Sequence, residues 1–122
     1  MKTIPANESL SRHINQNGVK PGIKKFNQFV EAMKLRGVPA LYSQDGQGEK
    51  AIAHVKLFDP CGSFTWYITE FDGSDLCFGA CCLFERELGY VSLSELSVTK
   101  GAMGIGIEID THFTPQPLDK CK

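Results

Sequence analysis

Phe64-Thr65-Trp66-Tyr67-Ile68-Thr69-Glu70-Phe71 holds the only tryptophan of the chain and is dense in aromatic and β-branched residues. That composition favours a pleated, packed conformation and reads as a strand. Strand alternation sends Phe64, Trp66 and Ile68 to one face with Glu70, and Thr65, Tyr67, Thr69 and Phe71 to the other. Both faces are partly apolar, which points to a central strand covered on each side.

The flanking segments become its neighbours. Ala51–Phe58 reads as a strand, with Val55 and Leu57 on one face and His54, Lys56 and Phe58 on the other, and the turn residues Asp59, Pro60 and Gly62 lead from it into the central stretch. Pro39–Ser43 reads as a short strand forming a hairpin with it across the turn-rich Gln44–Glu49. On the other side, Asp72–Asp75 supplies a turn into a strand over Leu76–Phe84, where Gly79 marks a bulge or a close backbone approach.

Helical signals lie at both ends of this block. Pro21–Arg36 carries an apolar stripe of Ile23, Phe26, Phe29, Val30 and Met33, and Gly37 and Pro39 stop it. Residues 7–17 read as a shorter helix whose His13 is a partly exposed helix residue. A short strand over Glu87–Val91 hands over to a second helix at Ser92, where Ser92 and Glu95 have capping-box spacing. Ile105–Phe113 alternates as a last strand, with Ile105, Ile107, Ile109 and Phe113 inward and Glu108, Asp110 and His112 outward. The expected fold is α+β: a mainly antiparallel sheet of about five or six strands, one principal N-terminal helix packed on it and a short second helix. Residues 1–38 form a helical region and residues 39–122 a sheet region of a single domain.

Composition sets the class. The chain has 122 residues, 42% hydrophobic and 22% charged, as expected of a soluble globule, with no apolar run of membrane-spanning length and no apolar leader at its start. Five cysteines, an odd number, fit free thiols rather than a disulfide framework. A cytoplasmic location is the expectation. The net charge of −1 hides an asymmetry: residues 1–40 carry seven basic against two acidic groups, and residues 41–122 six against twelve. The basic end either meets an acidic partner or is a solvated helix face complementing the acidic sheet.

Three constellations could carry chemistry. Glu108, Asp110 and His112 combine two carboxylates and an imidazole, suited to Mg²⁺, Mn²⁺ or Zn²⁺, with Glu70 or Glu95 as a further ligand. Same-face strand residues stand about 7 Å apart, so a metal needs help from other strands; the competing reading is a solvated outer face. Cys77, Cys81 and Cys82 lack paired Cys-x-x-Cys spacing and split between two strand faces, which favours buried apolar thiols. Lys24, Lys25, Lys34 and Arg36 on the long helix are candidates for contact with a partner protein or, less directly, with nucleic acid. No complete catalytic signature and no cofactor motif is present, and Gly101-x-x-Gly104-x-Gly106 is not a phosphate loop because no Lys-Ser/Thr follows.

Five blocks appear in order, "VKLFDP", "TWYITEFD", "FGAC", "ELGYVSLSEL" and "IEIDTHFTPQPL". Over residues 39–118 they resemble a small bacterial family of unknown function found on plasmids and integrative conjugative elements. The chain departs from that family's Glu-Arg-Asp pattern at Glu108-Ile109-Asp110. The resemblance implies a small cytosolic protein of mobile DNA with no assigned activity. The function expected from all of this is non-enzymatic: an accessory protein of a mobile genetic element that binds a host or mobile-element protein, with inhibition of a host defence system as one form. The alternatives are a metal-dependent hydrolase or nuclease at Glu108, Asp110 and His112, and a nucleic-acid-binding protein using the basic helix.

Overall fold

Strand Thr65–Phe71 (β3) lies at the centre of a five-stranded antiparallel sheet. The computed structural model describes residues 22–121, so the expected helix over residues 7–17, with His13, lies outside the described residues. In chain order the elements are helix Ile23–Leu35 (α1), strands Ile52–Ala53 (β1), Val55–Phe58 (β2) and β3, then Leu76–Cys82 (β4) and Arg86–Ser92 (β5). Helix Leu93–Val98 (α2) and the short strands Glu108–Ile109 (β6) and Gln116–Pro117 (β7) complete them. The main sheet has the order β5-β4-β3-β2-β6, and β1 pairs with β7 in a separate ribbon.

The apolar stripe of α1 packs on one face of the sheet. Phe26, Phe29 and Met33 meet Val55, Leu57, Trp66, Ile68, Phe71 and Cys77, with Leu93 and Leu96 of α2 beside them. The helix ends in a Schellman arrangement: Gly37, at φ 68, donates to Lys34 O, and Val38 donates to Met33 O. A smaller cluster of Ala51, Ala53, Tyr67, Ala80, Leu118 and Cys121 covers the opposite face. The central strand is thus covered on both sides, as its two apolar faces require.

Four expectations are corrected. Pro39–Ser43 is not a strand but runs into successive turns, with Ser43 N bonded to Ala40 O and Asp45 N to Tyr42 O. Tyr42 sits at φ 71, a left-handed conformation that no strand residue adopts. The strand expected over Ala51–Phe58 breaks at His54 into β1 and β2, which join different sheets.

The last strand is short. Only Glu108–Ile109 pair with β2, and the chain then turns, because Asp110 Oδ1 accepts from His112 N at 2.9 Å and Phe113 N donates to Asp110 O. Ile107 is buried in the helix-side core, Ile105 is exposed, and Phe113 crosses to the other face against the Tyr67 ring.

The fourth correction concerns β3 itself. Ile68 pairs with Gly79 but Glu70 pairs with Phe78, so Thr69 is an inserted bulge residue. Beyond it the faces exchange: Phe71 joins Trp66 and Ile68 in the helix-side core, and Glu70 passes to the opposite side. Gly79 answers the close approach anticipated there, since a Cβ on it would stand 1.9 Å from Tyr67 O.

Candidate partner-binding cleft

The bulge at Thr69 helps to shape a cleft on the face away from α1. It frees Thr69 O from the ladder to accept from Gln44 Nε2 at 3.0 Å, and it turns the Glu70 carboxylate toward the loop that precedes β1. Glu70 is only 4% exposed. Its two oxygens accept from the backbone amides of Tyr42 at 2.8 Å and Gln44 at 2.9 Å. Gln44 completes the tie, its amide donating to Ile52 O and its Oε1 accepting from Ile52 N. A buried carboxylate and a partly buried amide thus shape the 42–44 loop, which contributes one wall of the cleft.

The opposite wall comes from β4 and β5. In their pairing Phe78 faces Tyr90 and Ala80 faces Leu88. The Phe78 and Tyr90 rings meet edge to face at 5.0 Å, and Tyr90 donates to the Tyr42 hydroxyl at 3.3 Å across the mouth. That hydrogen bond, helped by slight desolvation and by the negative charges of Glu70 and Asp45, raises the Tyr90 hydroxyl above its ordinary pKa of 10.0. The space enclosed is about 390 Å³, lined chiefly by Tyr42, Asp45, Glu70, Phe78, Leu88 and Tyr90.

Of the residues singled out from the sequence, Glu70 lines the cleft and the others lie elsewhere. Glu108 is exposed on β6, and Asp110 is engaged by its own turn and by Lys56 at 3.7 Å. His112 lies in the turn beyond the strand, so these residues do not form a row on one strand face. Among the described residues no group of three or more His, Cys, Asp or Glu side chains is placed to hold a metal ion. Glu70 is spent on backbone amides, and Glu95 stands at the start of α2.

The basic residues of α1 divide. Lys24 and Lys34 are exposed, while Lys25 borders a shallow hollow with Gln28, Phe29 and Glu108. Arg36 directs its guanidinium to the carbonyls of Phe113 and Thr111 and so ties the C-terminal segment to the helix. All five cysteines are free; Cys77 and Cys81 face the helix-side core, and Cys82 and Cys121 the opposite side. Burial pushes the Cys77 thiol well above its ordinary range, which makes it an inert core residue.

The model of the family described as "Protein of unknown function (DUF2958)" matches residues 32–119. The chain belongs to the DUF2958 family. No curated protein and no solved structure matches it. The DUF2958 segment contains every residue of the cleft, Lys34 of α1 and the capping Arg36, but not Lys24 or Lys25. The cleft was missed in the sequence because Tyr42 and Tyr90 are 48 positions apart; the one available signal was Glu70, a carboxylate in an otherwise apolar strand.

Proposed function

We propose that this DUF2958 protein is a non-enzymatic accessory protein of a mobile genetic element that acts by binding another protein, inhibition of a host defence system being one form of that role. The observation that carries the reading is the cleft beside β5, a strand at the end of the sheet order with Leu88 and Tyr90 exposed along it. The buried carboxylate of the cleft accepts from two backbone amides and so holds the loop in a fixed shape, which suits a preformed binding surface. The association with mobile DNA rests on the likeness of the ordered sequence blocks to proteins of plasmids and conjugative elements. The acidity of residues 41–122, six basic against twelve acidic groups, suits a partner with basic segments, as nucleic-acid-handling defence proteins have.

Site-specific photo-crosslinking in host cells tests this. A photoreactive phenylalanine at position 90 is expected to trap a discrete protein partner, and the same group at position 34 on α1 is not. Adducts from position 34 alone would move the binding surface to the basic face of Lys24, Lys25 and Lys34. No protein adduct from either position would overturn the reading.

A further inference from the structure

The cleft and the open edge of β5 together specify what the partner presents. Among the described residues β5 pairs only with β4. The bond from Leu93 N to Asp75 O sets the phase of that pairing. Antiparallel alternation then directs the backbone groups of Glu87, Gly89 and Val91 toward β4, and those of Arg86, Leu88 and Tyr90 away from it. A row of unpaired N–H and C=O groups is a template for one more strand. An added strand would carry alternate side chains on the face where Leu88 and Tyr90 point, which is the face that opens into the cleft.

The lining identifies the side chain that fits. It contains the carboxylates of Asp45 and Glu70, the rings of Tyr42, Phe78 and Tyr90, and no Lys or Arg. Among the described residues neither carboxylate forms an ion pair. The hydrogen bonds at Glu70 come from neutral amides and leave its formal charge uncancelled. Aromatic faces and carboxylates around one space attract a cation. The loop is held in advance: Glu70 and Gln44 fix it, and Tyr42 keeps its left-handed φ of 71. Such preorganisation lowers the ordering cost of binding.

We propose that β5 accepts an extended segment of the partner as a sixth strand of the main sheet, with an arginine or lysine of that segment seated between Tyr42 and Tyr90 against Asp45 and Glu70. This rests on the protein-binding reading above and names the chemistry of what is bound. The Tyr90–Tyr42 hydrogen bond spans the mouth of the cleft, so entry of the cation exchanges that bond for contact with the rings.

The test uses the full chain and a capped, blocked pentapeptide of sequence Val-Thr-Arg-Thr-Val, followed by amide NMR shifts. Saturable shifts at Tyr42, Gln44, Leu88 and Tyr90 are expected, weakening as salt is raised. Replacing the peptide arginine by citrulline, which keeps the shape and loses the charge, is expected to weaken binding roughly fivefold or more. Asp45→Asn should weaken it by a similar factor; the Asp45 carboxylate makes no hydrogen bond or ion pair with the described residues, so the fold is preserved. Equal binding of the arginine and citrulline peptides, or shifts confined to residues outside the cleft and β5, would overturn the proposal. A position-90 crosslink to a protein with no effect of Asp45→Asn on its yield would leave the protein-binding reading standing and refute the cationic segment.

Discussion

Glu70 holds Tyr42 by its backbone, the buried carboxylate accepting from the Tyr42 amide at 2.8 Å and from the Gln44 amide at 2.9 Å with its other oxygen. The interaction replaces a strand ladder over this stretch, and it is available only because the bulge at Thr69 turns Glu70 to this side. In Glu70→Gln one of the two amides faces an NH₂ group instead of an acceptor. The expected cost is about 1–3 kcal/mol in urea unfolding, with faster hydrogen exchange at Tyr42 and Gln44. Unchanged protection at both amides would show that the carboxylate does not fix the loop.

Gly79 and Gly89 face each other across β4 and β5, yet they should respond oppositely to alanine. A Cβ at Gly79 would lie 1.9 Å from Tyr67 O and 3.0 Å from Ile68 Cα, and backbone cannot yield as a flexible side chain does. Gly79→Ala should destabilise by about 3 kcal/mol or more, or prevent folding. At Gly89 nothing stands within 4 Å, and alanine there removes the entropy cost of a strand glycine. Gly89→Ala should be stabilising by up to about 1 kcal/mol, read from thermal and urea midpoints.

This pair also shows what the sequence could and could not disclose. Gly79 within an apolar run signalled a close approach, and the alternation of Phe64–Phe71 signalled a central strand. An inserted residue leaves no mark on a period of two, so strict alternation puts Glu70 and Phe71 on each other's faces. At Ile105–Phe113 the alternation is real, but the Asp110 carboxylate takes up the His112 amide and ends the strand. At Pro39–Ser43 the apolar content suggested a strand, whereas a carboxylate far along the chain sets the backbone. The cleft was illegible for the same reason, since it joins Tyr42, Glu70 and Tyr90 through contacts of high sequence separation that leave no local pattern.

His54, between β1 and β2, gives the fold a pH dependence of definite sign. Burial lowers its pKa below the ordinary 6.5, so the folded protein keeps the imidazole neutral where the unfolded chain would protonate it. As pH falls through 6.5 the unfolded state binds the additional proton, and stability declines until the lowered folded-state pKa is passed. Above 6.5 the residue contributes no slope. Comparing urea midpoints on the two sides of that value, His54→Gln should show a smaller loss on acidification than the parent. Because all other titrating groups are common to both proteins, parallel losses would remove His54 as the cause.

Arg86 closes the opposite end of the sheet, and its three acceptors make lysine a poor substitute. It donates to the carbonyls of Leu118 and Cys121 and to Glu49 at 2.7 Å, with its guanidinium 5.9 Å from the Tyr67 ring. The clamp thereby joins the C-terminal turn, the turn at Gly48–Lys50 and the edge strand. Removing it leaves the partly buried Cys121 carbonyl without its donor and Leu118 O with the Cys121 amide alone, so Arg86→Ala should cost about 1.5–3 kcal/mol. Lysine restores the charge but cannot reach three acceptors with one ammonium, and Arg86→Lys should recover less than half of the loss. Cys121 supplies an independent readout, because its thiol is buried under the clamped turn. Its labelling by a thiol reagent should accelerate in both variants while that of the core thiol Cys77 stays slow; equal acceleration of the two would signal global unfolding and not release of the turn.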